Sequence, residues 1–317
     1  MIIALINLIA ASHTLWEGSG LGMKDAAAGY LSVFRPGLFT GKRIIVTGGG
    51  SGIGRCTAHE LASLGADVII TGRGEDKLKK VVAEITEDGG KCSYKAFDIR
   101  DEDAVRQAIS EIVAEGGPVT GLVNNAGGQY PSPLEAISTK GFETVLRTNV
   151  VGAFNVSREL VTQSMKNTGG AIVNITADFW GGMPTMGHSG AARAACDNLA
   201  KTAAVEWGRF GIRTNAVAPG WVASSGFDTY EDPGVQAMLP QLKNMVPLGR
   251  IATEAEIASV IVFLLSDGAN FISGASIRVD GGGSLFSPLF PPQGAKNSES
   301  YQGFHRYVPP KALRKKD

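Results

Sequence analysis

The segment Thr47-Gly48-Gly49-Gly50-Ser51-Gly52-Ile53-Gly54 lies between a short apolar run, residues 43–46, and a stretch of helical character that starts near Ile53. A strand that turns straight into a helix leaves the first helical N–H groups without partners and aims the positive end of the dipole at the turn. That arrangement seats a phosphate or pyrophosphate. Gly48 suits the tight turn, Gly52 the close approach of backbone to ligand, and Gly54 the contact between helix and strand. The spacing, G-x-x-x-G-x-G, is wider than the common G-x-G-x-x-G fingerprint. A plain turn would use glycines too, so the flanking strand and helix carry the nucleotide reading.

Downstream the chain alternates Val/Ile-rich runs with helical periods as far as about residue 283. Strands are expected at 43–46, 67–71, 92–97, 121–123, 171–175, 213–217 and 276–279, and helices at 54–64, 77–87, 103–114 and 191–207. Short connections and strands apolar on both faces predict an α/β fold, a doubly wound parallel sheet of about seven strands with helices on both sides. One domain, residues 39–285, accounts for it. Residues 1–38 read as an extension that packs on the surface or is disordered. Its apolar start, residues 1–11, is too short to span a bilayer and lacks a basic flank, which favours Met23 as the working start codon. The segment 286–317, rich in Pro, Ser, Gly and Lys, reads as a tail that solvates or reaches over a neighbouring subunit.

Composition removes other classes. The 317 residues hold 30 Lys+Arg against 30 Asp+Glu, so no global field draws nucleic acid or an anionic membrane. Cys56, Cys92 and Cys196 are widely spaced and form no C-x-x-C pair. They suggest a reducing compartment, the cytoplasm, and speak against a disulfide framework or a metal site.

If a dinucleotide occupies the glycine turn, the end of the second strand meets its adenosine ribose. A carboxylate there selects NAD. This chain has Thr71-Gly72-Arg73 instead. The planar, permanently charged fork of Arg73 suits a 2′-phosphate, with the Ser51 hydroxyl nearby, and the cofactor reads as NADP(H).

Together these residues resemble the short-chain dehydrogenases/reductases, a Rossmann-like family. The likeness spans residues 41–283 and rests on motifs in order: 47–54, Asp98-Ile99, Asn124-Asn125-Ala126-Gly127, Asn149, Asn174-Ile175-Thr176, Pro219-Gly220 and Val279-Asp280-Gly281-Gly282. It implies that Asp98 and Ile99 hold the adenine and that Asn125, Ala126 and Gly127 line the adenosine side. Thr176, Pro219, Gly220 and Val222 would then flank the nicotinamide. It also implies a homo-oligomer, usually a tetramer.

The chain departs from that family at the catalytic set of Ser, Tyr-x-x-x-Lys and Asn. Aligned on the fifth strand, the tyrosine position falls on Ser189, the lysine position on Arg193 and the serine position on Ala177, while Asn149 remains. A serine hydroxyl is a far weaker acid than a phenol, and a guanidinium relays no proton. Both still donate hydrogen bonds. Such a corner suits a reaction whose intermediate needs charge stabilisation more than rapid protonation of oxygen, such as hydride addition to the β-carbon of an α,β-unsaturated thioester. Residues 188–193 and 127–130 resemble the peroxisomal trans-2-enoyl-CoA reductase and 2,4-dienoyl-CoA reductase branch. Residues 177–188 and 219–230 resemble bacterial citronellol/citronellal dehydrogenases. The expected activity is NADPH-dependent reduction of a 2-enoyl-CoA, fatty acyl or isoprenoid. The alternatives are a terpenoid alcohol/aldehyde dehydrogenase or a lapsed nucleotide-binding sensor or structural subunit. Arg193 would anchor the nicotinamide ribose, with Ser189 and Asn149 positioning substrate or water. Tyr130, Asp178 and His188 are candidate proton donors, each with a bland alternative as wall, loop cap or spacer. Trp180, Trp221, Met183, Met238 and Met245 either line an acyl channel or simply pack.

Overall fold

The computed structural model describes residues 29–285, 289–295 and 297–314, so the readings of the apolar start and of Met23 lie outside the described residues. Seven strands form one sheet in the order β3-β2-β1-β4-β5-β6-β7. They are β1 Arg43–Thr47, β2 Asp67–Gly72, β3 Lys91–Ala96, β4 Gly121–Asn124, β5 Gly170–Ile175, β6 Ile212–Pro219 and β7 Ser276–Val279. Every pairing is parallel. The order reverses between β1 and β4, which opens a crevice beyond the carboxyl ends of the strands, where ligands of such sheets bind.

The helices are α1 Gly52–Ser63, α2 Glu75–Glu87, α3 Glu102–Gly116, α4 Thr139–Leu146, α5 Gly152–Leu160, α6 Gly187–Trp207, α7 Pro233–Met238 and α8 Glu254–Leu265. Strand residues alternate between two cores. Ile44 and Val46 pack with α1, α2 and α8, whereas Ile45 packs with α3 and α5. Each such fully buried aliphatic side chain contributes about 1.5–3 kcal/mol. The helix ends follow local chemistry. Asp101 caps α3 by accepting from the N–H groups of Asp103 and Ala104, and Thr253 with Glu256 forms a reciprocal capping box on α8. None of the helices is long and apolar enough to cross a membrane among the described residues.

Two readings need correction. Helix α6 begins at Gly187, a turn before the expected residue 191, because Gly187 and Gly190 lower helix propensity and disguise the first turn. The tail does not simply solvate. Phe304 is 1% exposed and packs on Cys56, Ala255 and Ala258, with the Arg55 guanidinium 4.9 Å from its ring centre. Arg306 reaches Asp88 at 2.6 Å and Glu87 at 2.8 Å, and the Thr253 hydroxyl donates to the Tyr301 carbonyl at 2.6 Å. The N-terminal extension joins it, since Leu31 N–H donates to the Gly303 carbonyl at 2.9 Å. The described tail is a strap across α1 and α8 of its own chain. Farther on, Lys311 N–H donates to the Asp228 carboxylate at 2.8 Å, and Ala312 and Leu313 pack on Phe227, Leu239 and Leu242. Those three residues belong to the segment between β6 and α8, hereafter the lid, which leaves the carboxyl end of β6.

Candidate active site

The glycine turn has the geometry its sequence demands. Gly48 and Gly52 have φ of 66° and 56°, where a side chain is strained. A Cβ on Gly54 would collide with the Gly48 carbonyl and the Asn125 amide. Thr47 braces the turn from below: its hydroxyl accepts from the N–H groups of Asn125 and Ala126, both at 3.0 Å. Asn125 Nδ2 donates to the carbonyls of Thr47 and Gly48 at 3.0 and 3.2 Å. Asn125 therefore helps to hold the turn in shape. Ser51, the N-cap of α1, makes no side-chain capping bond, so the first-turn N–H groups at Gly52, Ile53 and Gly54 keep no cap from it. Behind Gly52 lies the Glu254 carboxyl, which burial pushes up to about 7.

At the end of β2, Arg73 is exposed and makes no ion pair among the described residues, although it lies close enough to lower the pKa of Asp98. Asp98 is pinned by Arg100 at 2.6 Å, the main reason its carboxyl sits below the ordinary range. Ile99 is buried, with its carbonyl accepting from Asn155 Nδ2 at 3.2 Å. On the other flank, Thr176 spends its hydroxyl on the Val217 carbonyl at 3.1 Å. Pro219 accepts from Asp178 N–H at 3.2 Å and Gly220 N–H donates to Val279 at 3.0 Å. Val222 is buried and pairs with Ala252.

The catalytic corner gathers side chains from three elements. Ser189 and Arg193 are four residues apart on α6 and share one face. Arg193 donates to the Ile175 carbonyl at 2.7 Å, while its Nε is buried without a partner. A Cβ on Gly127 would meet Asn149 Oδ1 at 2.5 Å and Arg193 at 2.9 Å, so only glycine lets the backbone pass between them. Asn149 sits in a π-helical turn, Arg147–Val151, between α4 and α5. Both of its side-chain amide protons are committed. Oδ1 accepts from Gly128 N–H at 3.1 Å, and Nδ2 donates to the carbonyls of Gly128 at 2.8 Å and Val145 at 2.9 Å. Its main-chain carbonyl accepts from the Cys196 thiol at 3.0 Å. Asn149 thereby braces the turn that leads to Gln129.

Ser189 is fully buried, and its hydroxyl donates to Gln129 Oε1 at 2.6 Å. Gln129 falls within the stretch 127–130, whose sequence by itself assigns it no role. Its signal is a partner on α6 in the fold, invisible to local spacing. His188 is also fully buried; Ser189 N–H lies 3.0 Å from its Nδ1, and its Nε2 is buried without a partner. It packs edge-on against Tyr130, 4.5 Å between ring centres. Asp178 is half-buried, and burial together with Asp280 pushes its carboxyl up. Trp180, Trp221, Met238 and Met245 are between 38% and 55% exposed, so plain core packing does not account for them. Trp180 follows β5, and Trp221, Met238 and Met245 lie in the lid segment, whereas Met183 is half-buried against Gly190.

Residues 48–284 match the family described as enoyl-(acyl carrier protein) reductase. The chain is 38% identical over 247 residues to a probable 2,4-dienoyl-CoA reductase of Bacillus subtilis, covering 76% of this chain and 96% of that protein. A solved structure, the citronellol catabolism dehydrogenase AtuB of Pseudomonas aeruginosa PAO1, is 60% identical at a TM-score of 0.73, covering 80% of this chain and all of the other. A gluconate 5-dehydrogenase from Burkholderia cenocepacia J2315, solved with NADP and tartrate, is 30% identical at a TM-score of 0.73, covering 79% of this chain and 98% of that one. The chain belongs to the short-chain dehydrogenase/reductase family and is an oxidoreductase on a doubly wound, Rossmann-like sheet.

Proposed function

We propose that this enzyme uses NADPH to reduce the C2=C3 bond of a 2-enoyl thioester, fatty acyl or isoprenoid, carried on coenzyme A. The observation that carries the reading is the replaced corner: Ser189 and Arg193 stand where the family's tyrosine and lysine do. The residues fit a bound dinucleotide phosphate at two orphan features, the uncapped first turn of α1 and the buried, unpartnered Nε of Arg193. Bound there, NADPH supplies a hydride. Gly48, Ser51, Gly52, Ile53 and Gly54 hold its pyrophosphate, and Arg73 with Ser51 holds the 2′-phosphate. Asp98, Ile99, Ala126 and Gly127 border the adenosine side. Thr176, Pro219, Gly220 and Val222 back the nicotinamide, whose ribose Arg193 anchors.

The chemistry follows from the donors. As the β-carbon gains a hydride, the electron pair moves onto the thioester oxygen, and hydrogen-bond donors with the Arg193 field stabilise that charge. The pair returns when a proton reaches the α-carbon, so no strong acid is needed at oxygen. His188 is withdrawn from that delivery by burial, which leaves Asp178 and Tyr130 as acids at the mouth. Relatives named as dienoyl-CoA reductases support a thioester. The 60% identity to AtuB favours the second reading, a terpenoid alcohol/aldehyde dehydrogenase. Exposed Val151 at the end of the π-turn, Phe154 on α5, and Leu199 and Val205 on α6 support a homo-oligomer, a tetramer by family habit.

The deciding experiment is NADPH oxidation across crotonyl- and longer enoyl-CoAs and terpenoid aldehydes, with NADP+ reduction by citronellol as counterpart. Turnover of the thioesters supports the first reading. Turnover of citronellol alone supports the second, and tight NADPH binding with no turnover anywhere leaves a nucleotide-binding scaffold.

A further inference from the structure

We infer that the Gln129 side-chain amide, and not the Ser189 hydroxyl, hydrogen-bonds the substrate's carbonyl oxygen. The inference rests on the thioester reading and names the atom that serves it. Ser189 is fully buried and its single hydroxyl proton is already donated to Gln129 Oε1 at 2.6 Å. A hydroxyl has no second proton for a substrate. Gln129, by contrast, is exposed. Its backbone is fixed one residue away, where Asn149 takes both the N–H and the carbonyl of Gly128 at 3.1 and 2.8 Å. With the chain anchored there and Oε1 held by Ser189, the amide nitrogen is left to face the mouth. Among the described residues its polar neighbour there is Tyr230 Oη on the lid, at 3.5 Å, the outer edge of hydrogen bonding. An amide nitrogen has two donors, so at least one is open to a ligand.

This division of labour accounts for the serine. Ordering a free glutamine costs rotamer entropy, and here the fold has met that cost before substrate arrives. Accepting the Ser189 proton polarises the amide and strengthens its N–H groups as donors. Gln129 is then the catalytic donor to the oxygen that gains the electron pair, and Ser189 is its positioning residue. No atom passes to either side chain: hydride goes to the β-carbon, and the proton goes to the α-carbon.

The test is a cycle of Gln129→Leu, Gln129→Glu, Ser189→Ala and Ser189→Ala/Gln129→Leu, assayed with NADPH and crotonyl-CoA. Melting temperature and NADPH affinity serve as controls for folding. Gln129→Leu is expected to lower kcat about 100- to 1000-fold, the loss of one oxyanion donor, with cofactor affinity unchanged. Ser189→Ala should cost only about tenfold, and the double variant should be no worse than Gln129→Leu alone. Gln129→Glu, nearly isosteric, should be the most impaired at pH 8 and recover as pH falls and the carboxyl protonates. A purely structural role would spare the glutamate. The inference is overturned if Ser189→Ala costs as much as Gln129→Leu and the two losses multiply, or if Gln129→Glu keeps wild-type kcat. Wild-type turnover of citronellal but not crotonyl-CoA would retire the thioester, and the same cycle on the aldehyde would still decide which side chain meets the oxygen. Wild-type inactivity on both would overturn the function and this assignment together.

Discussion

The two ends of the crevice recognise by opposite means. The cofactor side works through backbone: a turn shaped by Gly48 and Gly52, closed by Gly54, and braced from behind by Thr47 and Asn125. Side chains there mostly hold the main chain in place. The candidate catalytic corner works through side chains: Ser189 and Arg193 share one face of α6, while Asn149 and Cys196 lock the neighbouring π-turn. A backbone cradle offers few substitutions that change its purpose. A side-chain corner can be refitted for a new reaction without moving a helix.

Phe304→Ala attacks the exception on the cofactor side, where a side chain supports α1 from outside. Emptying that buried site should cost about 3–5 kcal/mol, read as a lower melting temperature, with activity of the folded enzyme retained. A melting temperature within a degree of wild type would mean the strap is decorative. Arg193→Ala tests the corner and should depress kcat about 100- to 1000-fold while raising the NADPH dissociation constant. Unchanged kinetics would remove Arg193 from the site. Gly54→Ala should weaken NADPH binding by about 1–3 kcal/mol, tenfold or more, since the added carbon meets backbone that cannot yield. Cofactor fluorescence titration measures it, and normal affinity would break the claim that the cradle is sterically determined. Arg73→Asp should move the ratio of kcat/KM from NADPH toward NADH, and an unaltered ratio would retire the phosphate assignment.

The smallest effect is on pH. Burial pushes Glu60 and Glu254 up to about 7, so the folded state favours their protonated forms and loses stability as pH rises through 7. Burial, assisted by Arg55, lowers His59 to about 4, so its contribution is complete above the unfolded value near 6.5 and is lost as pH falls toward 4. Between about pH 4.5 and 6.5 the two carboxyls outweigh the one imidazole, so the melting temperature should fall as pH rises from 5 to 7. A peak at pH 8 or above would show that these groups do not govern the pH response.

Much of the sheet was legible because parallel strands buried on both faces leave continuous Val/Ile runs, such as 43–46 and 67–71, that few other structures use. The first turn of α6 was hidden by its glycines. The strap was hidden by composition: Pro, Ser, Gly and Lys dominate the tail, and only Tyr301, Phe304 and Tyr307, three residues apart, mark the side that docks. In the candidate site, Gly48 and Gly54 were legible because a positive φ at one and a backbone collision at the other admit no side chain. Gln129 and Cys196 were not, since their roles depend on partners 60 and 47 residues away.

The strap also bears on how the chain is made. Arg55 on α1 bonds the Arg306 carbonyl across 251 positions. The outer surface of α1, with Cys56 and Phe304's seat, therefore stays wet during synthesis until residue 304 has left the ribosome. Loop closure over such a span costs only slightly more entropy than over half of it, so the delay is one of timing. Nascent molecules expose that apolar strip throughout elongation, and chains that stop early never cover it.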